Sequence, residues 1–319
     1  MPMTNLFSSF IFSINATLPI IILLCLGMIL GKRRILDDAF SEKAMKLIFN
    51  LTLPLLLFFN IYNGKIEYSN QFDLIFIAIF GTTILFLIGE FIAAKFIDEK
   101  RERCTFVQAL FRGNNAVLGL ALCINAYGNE AYVPASIYSA IIVILYNVFG
   151  VITITRSLST DKVQIGTLFV RIIQNPLIIA IILGLAMNYF AVPLFKPLQT
   201  TGQYLANITL PLAVLCTGAS IDFRYMKASS RTVTWGVISR LVIAPLFMVT
   251  LAKLVGVSGM ELAIIFLMTT TPLATAAYAM VRAMGGNATT VANIIGITTV
   301  GAMPLSSLGL MVLMQLGWI

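Results

Sequence analysis

The chain has 319 residues, 59% of them hydrophobic and 11% charged, with a mean hydropathy of +0.95; a soluble domain carries about a quarter charged residues, so lipid is the natural solvent for most of it. The net charge of +8 does not point to nucleic acid, because the positive residues lie in short loops between apolar runs and report topology. The absence of histidine excludes histidine metal sites and Ser-His or Cys-His catalysis, and Cys25, Cys104, Cys123 and Cys216 lack metal-ligand spacing.

A spanning helix needs roughly 20 mostly apolar residues, and ten such runs can be taken in order. Helix one covers 12–31 and ends at Lys32-Arg33-Arg34. A cleaved signal peptide would place its charges before the apolar run, so this is a membrane helix. Helix two, 44–62, contains N-L-T-L-P-L at 50–55, where Pro54 predicts a kink and Asn50 and Thr52 re-bond the freed carbonyls. Helix three, 72–96, holds Glu90. Helix four, 105–126, is interrupted by Arg112-Gly113-Asn114-Asn115, and helix five, 133–155, carries Asn147 at mid-depth. After helix six, 168–190, helix seven, 200–220, contains N-I-T-L-P-L, so Asn207, Thr209 and Pro211 take the same kink roles. Helix eight, 232–255, holds Arg240, read as an interface or structural residue. Helix nine, 262–283, is interrupted at Thr269-Thr270-Thr271-Pro272, with Pro272 as first residue of a second half-helix. Helix ten, 289–316, carries Thr298 and Thr299.

Sixteen Lys and Arg follow the odd-numbered helices, against only Lys65, Lys196 and Lys253 after the even ones. The bias places both termini on the non-cytoplasmic side of a multi-pass inner (plasma) membrane protein. The two N-x-T-L-P-L runs are 157 residues apart, and the same offset relates Pro19 to Pro176, Gly27 to Gly184 and Gly128 to Gly285. Residues 1–157 and 158–319 therefore read as two five-helix repeats, and an odd number of helices per repeat inverts the second. The fold class is all-α polytopic, a 5+5 inverted repeat, with helices four and nine broken at corresponding depths. Such paired breaks mark a transporter's site.

A broken helix frees backbone N–H groups at the start of its second half, each end carrying roughly half a positive charge. Arg112, Asn114, Asn115, Thr270, Thr271, Pro272 and Asn147 form the candidate substrate site, with Arg112 supplying a fork suited to carboxylates. Alternatively Arg112 reaches back to the cytoplasmic interface and pairs with Glu90.

F-R-G-N-N-A-V-L-G-L in helix four, T-P-L-A-T-A-A-Y-A-M in helix nine with G-G-N following, and L-T-L-P-L in helix two resemble the auxin efflux carrier family, whose bacterial members look like permeases for malate or malonate. The resemblance implies that helices four and nine cross at the midplane. It also implies an elevator-like movement of a core, helices three to five and eight to ten, against a scaffold of helices one, two, six and seven. The family usually has proline in a G-x-P run past the first break, where this chain has Ala121.

The expected function is alternating-access transport of a small organic anion, a mono- or dicarboxylate, without enzymatic activity. The other readings are a cation–proton antiporter, which needs membrane-embedded carboxylates, and a non-transporting sensor. No cofactor or metal is expected; sodium or proton coupling stays open. The expected partners are the anion and the bilayer, with a homodimer left open and nucleic acid excluded.

Overall fold

A computed structural model describes residues 6–64, 72–158, 174–221 and 230–319. Lys65, Lys162, Arg171, Arg224 and Lys227, and the predicted first residues of helix six, lie outside the described residues. The described chain is helical throughout, without a strand. Its only sheet-like contact is one antiparallel bridge between Gly113 and Leu273.

The first part of the chain, up to Leu158, contains α1 (Leu6–Lys32), α2 (Asp38–Leu47), α3 (Leu53–Tyr62), α4 (Phe72–Phe96), α5 (Lys100–Phe111), α6 (Leu120–Tyr127) and α7 (Tyr132–Leu158). The second contains α8 (Pro176–Tyr189), α9 (Lys196–Asn207), α10 (Thr209–Ala219), α11 (Arg231–Ile238), α12 (Ala244–Val255), α13 (Gly259–Thr269), α14 (Thr275–Ala283) and α15 (Ala288–Gln315). Among the described residues six stretches are long and apolar enough to cross a membrane: Leu6–Lys32, Ala39–Tyr62, Phe72–Phe96, Asn115–Leu158, Arg231–Val255 and Ala288–Gln315. Pro176–Tyr189 and Gly259–Thr269 are shorter apolar helices.

Unlike a soluble bundle, the helices carry large apolar side chains on their outer faces as well as in the core. On α1 the buried face is Ser9, Ser13, Ala16, Thr17, Ile20, Leu24 and Gly27, while Phe7, Leu18, Ile22 and Ile29 are exposed. Ser13 and Thr17 return their hydroxyls to the carbonyls of Ser9 and Ser13, so nothing polar is left over on that face. Between lipid-embedded helices, small residues drive association by letting backbones close up. Side chains on Gly27 or Gly218 would run into the carbonyls of Leu215 or Leu24, which packs α1 against α10. A Cβ on Gly184 would likewise stand 3.1 Å from the Phe58 carbonyl, which packs α8 against α3.

Among the described residues three helices contain π-turns: Ile48–Thr52 between α2 and α3, Asn115–Gly119 before α6, and Ser239–Ile243 between α11 and α12. Such wide turns are often functional. The first corrects the expected proline kink. The helix runs unbroken from Ala39 to Tyr62, and its ladder widens to a π-turn just before Pro54. Asn50 is exposed and the buried Thr52 hydroxyl has no hydrogen-bond partner, so neither re-bonds a freed carbonyl. In the second run the chain breaks at Ile208, ahead of Pro211, and only Thr209 bonds a carbonyl, that of Leu205 at 3.4 Å. Asn207 instead accepts from Gln203 at 3.1 Å.

Candidate functional site

Two interrupted helices meet in the interior. After Phe111 the backbone leaves the helix at Arg112 (φ −97°, ψ 99°) and re-enters through the π-turn at Asn115–Gly119. After Thr269 the second chain runs out to Ala274 (φ −63°, ψ 134°) and becomes helical again at Thr275. The two non-helical stretches run antiparallel and bond each other: Asn114 N–H donates to the Pro272 carbonyl at 2.8 Å, and Ala274 N–H to the Arg112 carbonyl at 3.3 Å. Leu273 N–H donates to Thr298 Oγ1 at 3.2 Å. Backbone groups freed in a membrane interior cost several kcal/mol each unless bonded, and this crossing bonds them to one another. Pro272 is therefore not the first residue of the second half-helix. It belongs to the crossing strand, and its carbonyl is occupied.

Gly113 makes the close approach possible. A side chain there would collide with Thr271 Oγ1 and Asn115 Oδ1, and would stand 3.5 Å from the Arg240 guanidinium carbon. Asn115 Oδ1 accepts from Tyr146 OH at 3.2 Å and from Thr271 Oγ1 at 3.3 Å. Thr270 bonds its own helix and accepts from Ser306 at 3.0 Å, so it supports the break and faces α15. Asn114 is buried and contributes its backbone. Thr299 returns its hydroxyl to the Ile295 carbonyl.

Arg112 does not reach the cytoplasmic interface. It is 3% exposed, and Glu90 is held instead by Arg156 at 3.1 Å. Its Nη1 donates to the Tyr146 carbonyl at 3.1 Å, Gln108 Oε1 at 3.3 Å and Met280 Sδ at 3.0 Å, and its Nη2 to Asn147 Oδ1 at 3.3 Å. Every one of these partners is neutral. Arg240, at the π-turn of the eleventh and twelfth helices, is fully buried, and its Nη2 donates to the Thr269 carbonyl at the end of α13.

Around the crossing a set of buried nitrogens has no hydrogen-bond partner: Gln108 Nε2, Arg112 Nε, Asn115 Nδ2, and Arg240 Nε and Nη1. All are donors. Among the described residues no carboxylate pairs with either arginine. Glu102, the one carboxylate buried among the described residues, accepts from Asn287 Nδ2 at 2.9 Å and Thr290 Oγ1 at 2.7 Å at the start of α15. No group of three or more His, Cys, Asp or Glu among the described residues is placed to hold a metal. A pocket of about 210 Å³ opens away from the crossing, between α1, α3, α6 and α10, with Pro19, Ala121, Asn125 and Asn207 on its wall.

The profile of the family described as Membrane transport protein matches residues 12–309, nearly the whole chain. The chain belongs to this family, that of the auxin efflux carriers. It is also similar to an uncharacterised transporter of Methanothermobacter thermautotrophicus, with 23% identity over 273 residues, covering 83% of this chain and 86% of the relative. This carrier is thus a multi-pass membrane transport protein.

Of the predicted site residues, the structure brings Arg112, Asn114, Asn115, Thr271, Pro272 and Asn147 into one bonded cluster, with Thr270 behind it. Sequence reasoning missed Tyr146 and Gln108 as members, set Arg240 aside as an interface or structural residue, and noted Thr298 at mid-depth as able to complete the cavity or simply to bind a neighbouring helix. Arg240 had a usable signal: it lies nine residues beyond Arg231, roughly 13 Å along an apolar helix at 1.5 Å per residue, too deep for an interface anchor.

Proposed function

We propose that this carrier is a secondary transporter for a small organic anion, a mono- or dicarboxylate, which binds at the crossing of the two broken helices. The observation that carries the reading is the excess of donors there. Two buried guanidiniums and two buried amides present unpartnered nitrogens, and no described carboxylate answers them. Buried charge is tolerated when paired, and a carboxylate accepts bidentately from a guanidinium. A cation–proton antiporter needs embedded carboxylates near its site, whereas Glu90 and Glu102 are engaged elsewhere.

The accompanying architecture is ten spans in two inverted halves, with both termini on the non-cytoplasmic face of the inner membrane. Supporting it, the offset of 157 carries α3 onto α10 to within a residue and α7 onto α15, and carries Gly128 (φ +61°) onto Gly285 (φ +84°). The offset also relates the packing, since the Gly27–Leu215 contact becomes that of Gly184 with Phe58. The pocket lies between α1, α3 and α10, assigned to the scaffold, and α6, assigned to the core.

The test is binding by the purified, detergent-solubilised carrier across a panel of carboxylates, read as thermal stabilisation with and without sodium. An acid at 100 times its dissociation constant adds about 2.7 kcal/mol. Stabilisation by one small acid, lost in Arg112→Ala, is the expected result. A cation stabilising where no carboxylate does would overturn the anion reading.

A further inference from the structure

We infer that the carrier works by exchange: its core crosses readily with an anion aboard in either direction, and slowly when empty. The inference rests on the anion reading above and adds the transport mode. Four helix ends meet at the crossing. The carboxyl ends of α5 and α13 each present about half a negative charge, and the amino ends of the two continuing half-helices each about half a positive one. The four cancel.

What remains is Arg112 and Arg240, 3% and 0% exposed, each bonded only to carbonyls, amide oxygens or sulfur. Three of their six nitrogens have no partner at all. Glu90 and Glu102, the least exposed carboxylates of α4 and α5, are engaged with Arg156 and with α15. Two full positive charges therefore stand in the interior without an internal counter-charge among the described residues.

Arg112 ends α5 and Arg240 lies between α11 and α12, helices that the proposed architecture puts in the moving core, so they travel with the site. Carrying an unpaired guanidinium through the middle of a bilayer is costly, and pairing it with an anion removes much of that cost. The membrane potential acts in the same sense, because it holds an unloaded positive core toward a negative cytoplasm. The step that resets an empty carrier is then the slow one, and a second anion relieves it. Sodium does not substitute, since a third cation near two guanidiniums is repelled.

The experiment uses the full chain in liposomes loaded with isotopically labelled malate, malonate or acetate, diluted into medium with and without the same unlabelled acid. Expected is efflux of at least one acid accelerated about tenfold or more by external acid, unchanged by replacing sodium with potassium. In Arg240→Gln, which removes one of the two charges, the ratio of the two rates falls toward one. Equal efflux into acid-free medium by the unmodified chain would overturn exchange and leave the anion reading standing. Efflux of none of the three acids in either medium would overturn both.

Discussion

Gly150 lies in the middle of α7, far from any turn, and its value is the space it leaves. A Cβ there would stand 2.6 Å from Arg112 Nη1 and 3.2 Å from Met280 Cε. On helix propensity alone, Gly150→Ala stabilises by up to about 1 kcal/mol. In this setting it drives the guanidinium off the Tyr146 carbonyl and Asn147, hydrogen bonds worth about 1.5–3 kcal/mol when charged. The expected outcome is a protein that melts near the parent temperature in the absence of ligand and binds its anion about tenfold or more weakly; titration of the purified variant reads both. Unchanged affinity would show that the anion does not depend on this seat. The same arginine shows what a sequence carries at the residue scale. Arg112 stood out because a polar run interrupts an apolar helix, and the structure keeps it at the crossing. Arg240 did not stand out, because a lone arginine in an apolar helix resembles an interface anchor until its depth is counted. Glu102 stayed hidden among Lys100, Arg101 and Arg103, a run that looks solvated, although its side chain turns inward to α15.

Packing between elements depends on a few contacts too close for any side chain. α1 and α10 touch backbone to backbone through Gly27, Gly31, Gly218 and Ala219, and lipid supplies no hydrophobic drive to restore them once parted. Gly218→Val places two methyl groups against the Leu24 carbonyl, an overpacking that costs about 1–3 kcal/mol. The expected result is a lower melting temperature in detergent with anion affinity little changed, since the seam lies outside the crossing. An undiminished melting temperature would mean that the two helices part and re-seat freely. Element positions were legible wherever hydropathy alone decides them: α4 spans Phe72–Phe96, as its apolar run predicts. Boundaries slipped where capping decides. Helix two starts at Asp38, six residues earlier than its apolar run, because Asp37 accepts the Phe40 N–H at 2.7 Å. The π-turns were not legible, since ring size is set by what the neighbouring helices push against. At the second break the helix restarts three residues after Pro272, because that proline's carbonyl is taken by Asn114.

At the scale of the whole molecule, orientation is decided by charge. Sixteen Lys and Arg on one set of loops against three on the other is an asymmetry that orients a multi-pass chain during insertion. In the proposed orientation the Arg112 seat is approached from the cytoplasmic side, because α5 begins among Lys100, Arg101 and Arg103 and α14 ends at Arg282. Reporter fusions at Ile319, expressed in a Gram-negative host, check this: alkaline phosphatase is expected to be active and a fluorescent protein dark, since each matures on only one side of the inner membrane. The same pair of reporters after Arg34 should give the opposite result, because that loop carries the densest positive charge. The two sites together discriminate more than either alone. If both reported the cytoplasm, an even number of crossings would separate the loop from the C-terminus, not the nine that ten spans require, and the ten-span count would fail. If both patterns were inverted, the count and the inverted halves would survive. The Arg112 seat would then face the outside, and the direction in which the membrane potential biases an unloaded core would reverse relative to the site.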